Sequence, residues 1–253
     1  MKIVVFRILA VGAAVFAAPV VSAPAYAGTG VSPILLQLSP RARVATVTLS
    51  NGDNHAVKLV AEVKERSQSE DQSEILTDSD EVIVNPPIAL VPASKAQLFR
   101  VALRHPLPPG ADRAYRVIIT DVTPAAVDTT STGGKAVASI AVRFSHMIPL
   151  YVTTMPGGKP APSIAPCTTS EAGKLCARVL NTGQVHAKVK AVSFQSGSWH
   201  ATAQQRGTVL AGGVLRFVVP RPASVKSADP ITVSVDIDGQ TNPLTATFNG
   251  APN

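Results

Sequence analysis

Five histidines (His55, His105, His146, His186 and His200) and two cysteines (Cys167 and Cys176) are the residues that could ligate a metal or carry a proton. The histidines are dispersed among turns and strands with no paired spacing, so each reads as a surface or turn residue. Two thiolates need two further ligands to hold zinc, and no His, Asp or Glu pair stands at metal spacing near Cys167 and Cys176. A hydrolase needs a nucleophile held by a base, yet the chain lacks Gly-x-Ser-x-Gly and any Gly-rich phosphate loop. The acidic residues gather in 65–81, where they read as a solvated face. One tryptophan, Trp199, is too few rings for a sugar platform. The expectation is therefore a protein that is not an enzyme and needs no cofactor.

The elements that would position a binding surface follow from the rest of the chain. Residues 1–27 read as a secretory signal peptide: Lys2 and Arg7, an apolar stretch over 8–21, then Ala25-Tyr26-Ala27 as a cleavage site. That stretch contains Pro19 and is shorter than the roughly 20 residues a spanning helix needs, so no stable membrane insertion is expected. Removing it leaves 226 of 253 residues and, with Lys2 and Arg7 gone, lowers the formal charge from +7 to +5. The remaining cations are scattered singly, which does not suit a nucleic-acid footprint. In an exported chain, two cysteines this close together read as a disulfide.

Segments 31–38, 44–49, 57–64, 82–84, 96–103, 115–122 and 137–152 alternate or run apolar between Pro, Gly and Asn turns. Seven or so such strands predict an immunoglobulin-like sandwich over 28–154. Ala45, Val47 and Leu49 share one face of their strand, as do Val57, Leu59, Ala61 and Val63. The polar segment 66–81 reads as a mobile loop around a short edge strand. Residues 155–166, with Gly157-Gly158 and four prolines, read as a linker. A second hairpin-rich β domain follows over 167–253. The fold class is all-β, two sandwiches, with little helix.

The run from Val82 to Pro124 carries Asn85-Pro86-Pro87-Ile88, Gln97-x-x-Arg100-Val101-Ala102-Leu103, Pro108-Pro109-Gly110 and Asp112-Arg113-Ala114-Tyr115-Arg116. This wording resembles the periplasmic pilus-assembly chaperones of chaperone-usher systems. Asn181-Thr182-Gly183-x-x-His186 and Asp236-x-Asp238-Gly239 resemble their second domain more loosely. The resemblance implies a boomerang of two domains that lends a strand to a pilus subunit whose own sandwich lacks one, then hands it to an outer-membrane usher.

In this chain the lent strand corresponds to 137–152, with Ala138, Ile140, Val142 and Phe144 on one face. Ile140, Val142 and Phe144 would contribute roughly 1.5–3 kcal/mol each on full burial. Alternation alone does not separate a lent face from one turned to the domain's own core; the resemblance implies lending. Better-known relatives hold the subunit's terminal carboxylate between an Arg and a Lys. Here those positions align with Leu35 and Pro149. This departure, with Ile148-Pro149-Leu150-Tyr151-Val152, resembles the archaic or alternative branch. Arg100 and Arg116 are substitute anchor candidates, and Asp112 and Asp238 are candidates to meet at the domain junction.

The competing expectation is an exported immunoglobulin-like adhesin or pilus subunit. Such a subunit should carry a free alternating extension ahead of a single incomplete sandwich. Residues 28–38 read instead as an integral first strand.

Overall fold

The structure, a computed structural model, describes residues 28–71, 73–124, 143–169 and 171–249. The leader-like segment and Ala138, Ile140 and Val142 lie outside them. Among the described residues there is no helix.

Among the described residues, ten strands build the first domain: β1 (Thr29–Ser32), β2 (Leu36–Leu38), β3 (Val44–Asn51), β4 (Val57–Ser67), β5 (Ile75–Asp78), β6 (Val82–Asn85), β7 (Ile88–Val91), β8 (Ala96–Leu103), β9 (Arg113–Asp121) and β10 (Ser145–Val152). One sheet runs β1-β3-β8-β6; the other runs β2-β10-β9-β4, with β7 and β5 end to end along the far edge of β4. The expected strand over 31–38 is divided, because Pro33 has no N–H for a ladder. Its first part pairs with β3 in one sheet, its second runs parallel to β10 in the other. The predicted alternations place Val47, Leu49, Val57, Leu59 and Ala61 in the core with Phe99, Val101, Val117, Ile119 and Leu150.

Tyr115 is fully buried among them, and its hydroxyl donates to Glu81. Burial and the neighbouring carboxylates hold the phenol well above its ordinary range, so it stays a donor. Arg113 pairs with Glu81 and with Glu65, each at 3.0 Å.

The second domain comprises β11 (Pro162–Cys167), β12 (Lys174–Asn181), β13 (Ala187–Ser196), β14 (Trp199–Thr202), β15 (Gly207–Val209), β16 (Val214–Pro220), β17 (Pro230–Ile237) and β18 (Leu244–Asn249). Its sheets are β11-β12-β16 and β13-β17-β18 with β14 and β15 on the outer side of β13. One correction to the sequence reading follows, and the expected disulfide is present. Residues 162–166 are strand, not linker; β11 is an edge strand, where Pro162 and Pro166 need no outward donor. Cys167 and Cys176 are bonded across the β11–β12 pair, opposite one another in register.

Both domains carry the same buried seal. Asn51 donates to the carbonyls of His55, Val91 and Pro92, and Asn181 to those of Val185, Val209 and Leu210. Each amide thus satisfies main-chain groups that a loop would otherwise bury unpaired. Gly183 fits the turn after Asn181 because a Cβ there would lie 2.3 Å from the Ala161 nitrogen.

Candidate functional site

β10 is flanked by β9 along its whole length but by β2 only at Leu150, Tyr151 and Val152. From Ser145 to Pro149 its other edge has no partner strand among the described residues. The direction of its main-chain groups follows from two contacts: Thr153 N–H donates to Leu38 on the β2 side, and the Phe144 carbonyl accepts from Asp121 on the β9 side. Strand groups alternate in direction, so Ser145, Met147 and Pro149 address the free edge. Ser145 and Met147 offer both donor and acceptor there. Pro149 offers only its carbonyl.

The free edge of β1 lies alongside. Thr29 Oγ1 sits 2.7 Å from His146 Nε2, and the Phe144 ring packs over Gly28, 3.3 Å from where a Cβ would stand. Four large apolar side chains near these edges are left in water: Ile34 (75 % exposed), Leu35 (43 %), Phe144 (47 %) and Met147 (45 %). Unpaired strand edges bordered by exposed apolar side chains form a template for another strand.

The face of β10 that holds Phe144 continues through Ile148, Leu150 and Val152, which are buried in the domain's own core. Phe144 is the described residue at which that face emerges into solvent. Leu35 and Pro149 each stand one residue before the first parallel pair, Leu36 with Leu150. They are therefore neighbours, and the place where β2 leaves β10 is apolar.

Pro149 is paired across the ladder with Arg116, and Arg116 with Lys64, so the row beside the vacated positions supplies two cations. Arg116 Nε donates to Glu74 at 2.7 Å, and Arg66 Nε approaches the same carboxylate oxygen at 2.7 Å. Arg100 stands elsewhere. It lies exposed on β8 in the other sheet, between Thr46 and Asn85.

The outer face bearing Arg116 borders the second domain. Gln68 donates to the Thr208 carbonyl (2.8 Å) and accepts from the Leu210 N–H (2.9 Å). Glu70 pairs with Arg178, and Asp71 with Arg216 at longer range. The acidic segment expected to be a solvated face is thus an ion-paired bridge, because the second domain and β9 present arginines to it. Asp112 sits at the junction: its N–H donates to Gln184, and its carboxylate, almost fully buried, meets His186 Nδ1 at 3.2 Å. His186 in turn stacks on Tyr151 with ring centroids 3.8 Å apart. Asp238 is engaged by Lys188 and Lys190 of its own domain. Sequence reading missed Gln68, Arg66 and Glu74. Their only local signal was a polar segment following a regular strand.

Residues 28–153 match the family model described as pili and flagellar-assembly chaperone, PapD N-terminal domain. The chain belongs to the pilus-assembly chaperones. Solved structures with the same fold include the archaic CsuC-CsuE chaperone-tip adhesion subunit pre-assembly complex of Acinetobacter baumannii. There the identity is 16 %, over 87 % of this chain and 98 % of that one, with a TM-score of 0.63. The YadV chaperone is 11 % identical over 88 % of this chaperone and 100 % of its own length, at a TM-score of 0.58. The SafA pilin with SafB chaperone complex of Salmonella enterica is 14 % identical over 88 % and 96 %, at 0.54. No curated protein matches this chaperone.

Proposed function

We propose that this chaperone works in the periplasm, stabilising unfinished pilus subunits by lending them the strand that ends in β10 and passing them to an outer-membrane usher. The observation that carries this reading is the free edge from Ser145 to Pro149 beside β1, with Phe144, Met147, Ile34 and Leu35 exposed around it. A subunit strand laid on that edge gains main-chain hydrogen bonds at Ser145 and Met147, and its open groove takes Phe144 together with Ala138, Ile140 and Val142. Pairing of β1 with β3 weighs against a free donor extension and so against a pilus-subunit role. The leader-like segment and the disulfide fit an oxidising exported compartment.

β2 occupies the edge from Leu150 onward, so an incoming strand has to end at Pro149. A strand ending there places its terminal carboxylate beside Arg116, the cross-strand neighbour of Pro149, and Arg116 is the anchor we assign. Arg100, on the other sheet, is the weaker candidate. Asp112 with His186 sets the domain angle, and Asp238 supports the same end of the second domain through its N–H to Lys188.

Co-purification tests the reading. The tagged chaperone is expressed in the periplasm with candidate subunits, beside a variant carrying Ile140→Asp, Val142→Asp and Phe144→Asp. The parent is expected to retain a soluble subunit and the folded variant to lose it. Equal capture by both would place the binding strand elsewhere.

A further inference from the structure

Arg66 and Arg116 converge on one oxygen of Glu74, and both guanidinium groups stand on the outer face of the sheet that borders the second domain. Two observations show that Glu74 does not use up this pair. The Arg66 side chain is only 9 % exposed, yet its buried Nε–H makes no hydrogen bond of proper direction: Glu74 matches its charge and not its donor axis. Arg206 of the second domain lines the same cavity, of about 160 Å³, and has no ion pair or hydrogen bond among the described residues. Two guanidinium groups therefore meet on one carboxylate, and a third arginine lines the cavity beside them.

We infer that Glu74 is an internal stand-in for the subunit's terminal carboxylate, holding Arg66 and Arg116 in place until the incoming chain end displaces it. The inference rests on the anchor reading proposed above. A second carboxylate and Glu74 cannot both take the same donors without like-charge repulsion, so docking moves Glu74 off the pair. Arg66 then gains a directed acceptor, and Arg206 is the remaining cation able to close over the chain end or receive the released Glu74. Keeping a guanidinium pair partly neutralised while the cleft is empty also limits non-specific capture of other anions. Glu74 thereby adds a threshold: a ligand binds well only if its strand and its carboxylate arrive together.

The test uses the full mature chain and two synthetic probes. Both are ten-residue peptides alternating valine and serine behind two lysines; one ends in a free carboxylate and the other in an amide. Affinities are measured for the parent, Glu74→Gln and Glu74→Ala, with ¹⁵N signals of the arginine Nε–H groups followed in parallel. The parent is expected to prefer the acid, with the Arg66 and Arg116 signals shifting. Both variants are expected to bind the acid about tenfold more tightly than the parent does and the amide unchanged, since a charge-assisted contact no longer has to be broken first. If the parent prefers the acid but neither variant gains, the stand-in role is overturned and the anchor survives. If the parent shows no preference, the anchor reading falls and this inference with it. Absence of binding of either peptide to both folded variants also overturns it.

Discussion

Leu35 and Pro149 stand side by side at the point where β2 leaves β10, each one residue before the Leu36–Leu150 pair. An apolar pair at this place means that the free edge of β10 ends without a charge and, at Pro149, without an N–H.

Pro149 is expected to blunt the edge against self-pairing. Pro149→Val restores the missing donor on the exposed side of β10, so the variant should self-associate at several-fold lower concentration than the parent, measured by sedimentation equilibrium. Unchanged association would show that the neighbouring side chains, rather than the absent N–H, keep the edge monomeric.

Phe144 and Ile148 share one face of the strand but face different surroundings. Phe144→Asp is expected to leave stability within about 1 kcal/mol of the parent while reducing subunit capture tenfold or more. Ile148→Asp, 3 % exposed in the core, should cost more than about 4 kcal/mol. Urea unfolding followed by pull-down separates the two effects. Equal destabilisation by both changes would make Phe144 a core residue.

The Cys167–Cys176 bond joins two residues nine positions apart in sequence at the edge of the second domain. Replacing both with serine should lower stability by roughly 2–3 kcal/mol. Trp199 packs against the core of that domain, so its fluorescence reports the unfolding directly. The midpoint in urea is expected to fall; a midpoint within error of the parent's would mean that the β11–β12 ladder holds without the bond.

His146 links the two free edges through Thr29. Burial lowers its pKa from the ordinary histidine value, and the contact with Thr29 offsets this only in part. A depressed histidine pKa means that the unfolded chain takes up a proton before the native one. This contribution to stability is thus complete above about pH 6.5 and is lost as pH falls below it. Thermal midpoints measured from pH 7.5 to 5.0 should decline less steeply for His146→Gln than for the parent. Parallel profiles would remove His146 from the account.

Much of the sandwich was readable because half-buried strands write themselves in alternation: Val47 and Leu49, or Val57, Leu59 and Ala61, name their face without help. The division of 31–38 was not, since β1 and β2 differ in partner and not in pattern. β7 escaped as well; its outward Ile88 and Leu90 are apolar, so Ile88-Ala89-Leu90-Val91 shows no polar alternation. The cleft was the least legible part. Arg66, Glu74 and Arg116 come together through pairing of β4, β5 and β9, and Gln68 finds Thr208 some 140 residues away. No spacing in the chain encodes such meetings. Motif wording named Arg116 and Asp112 because they sit in one continuous stretch of chain, Asp112 just ahead of β9 and Arg116 within it.

The connection between the sandwiches is fastened at both ends. Thr154, buried, exchanges hydrogen bonds with Gly110 through its hydroxyl. Further along, Lys159 and Ala161 accept from Gln184 and Thr182, and Gln184 itself accepts from Asp112. These contacts close a loop of bonds that runs from the first domain through the linker and back. A segment with two glycines and several prolines, which by composition alone would be a swivel, is clamped into a bracket. The molecule then resembles a jig more than a pair of tongs. The angle at which a subunit is presented is set before it arrives, and only side chains need move when it docks.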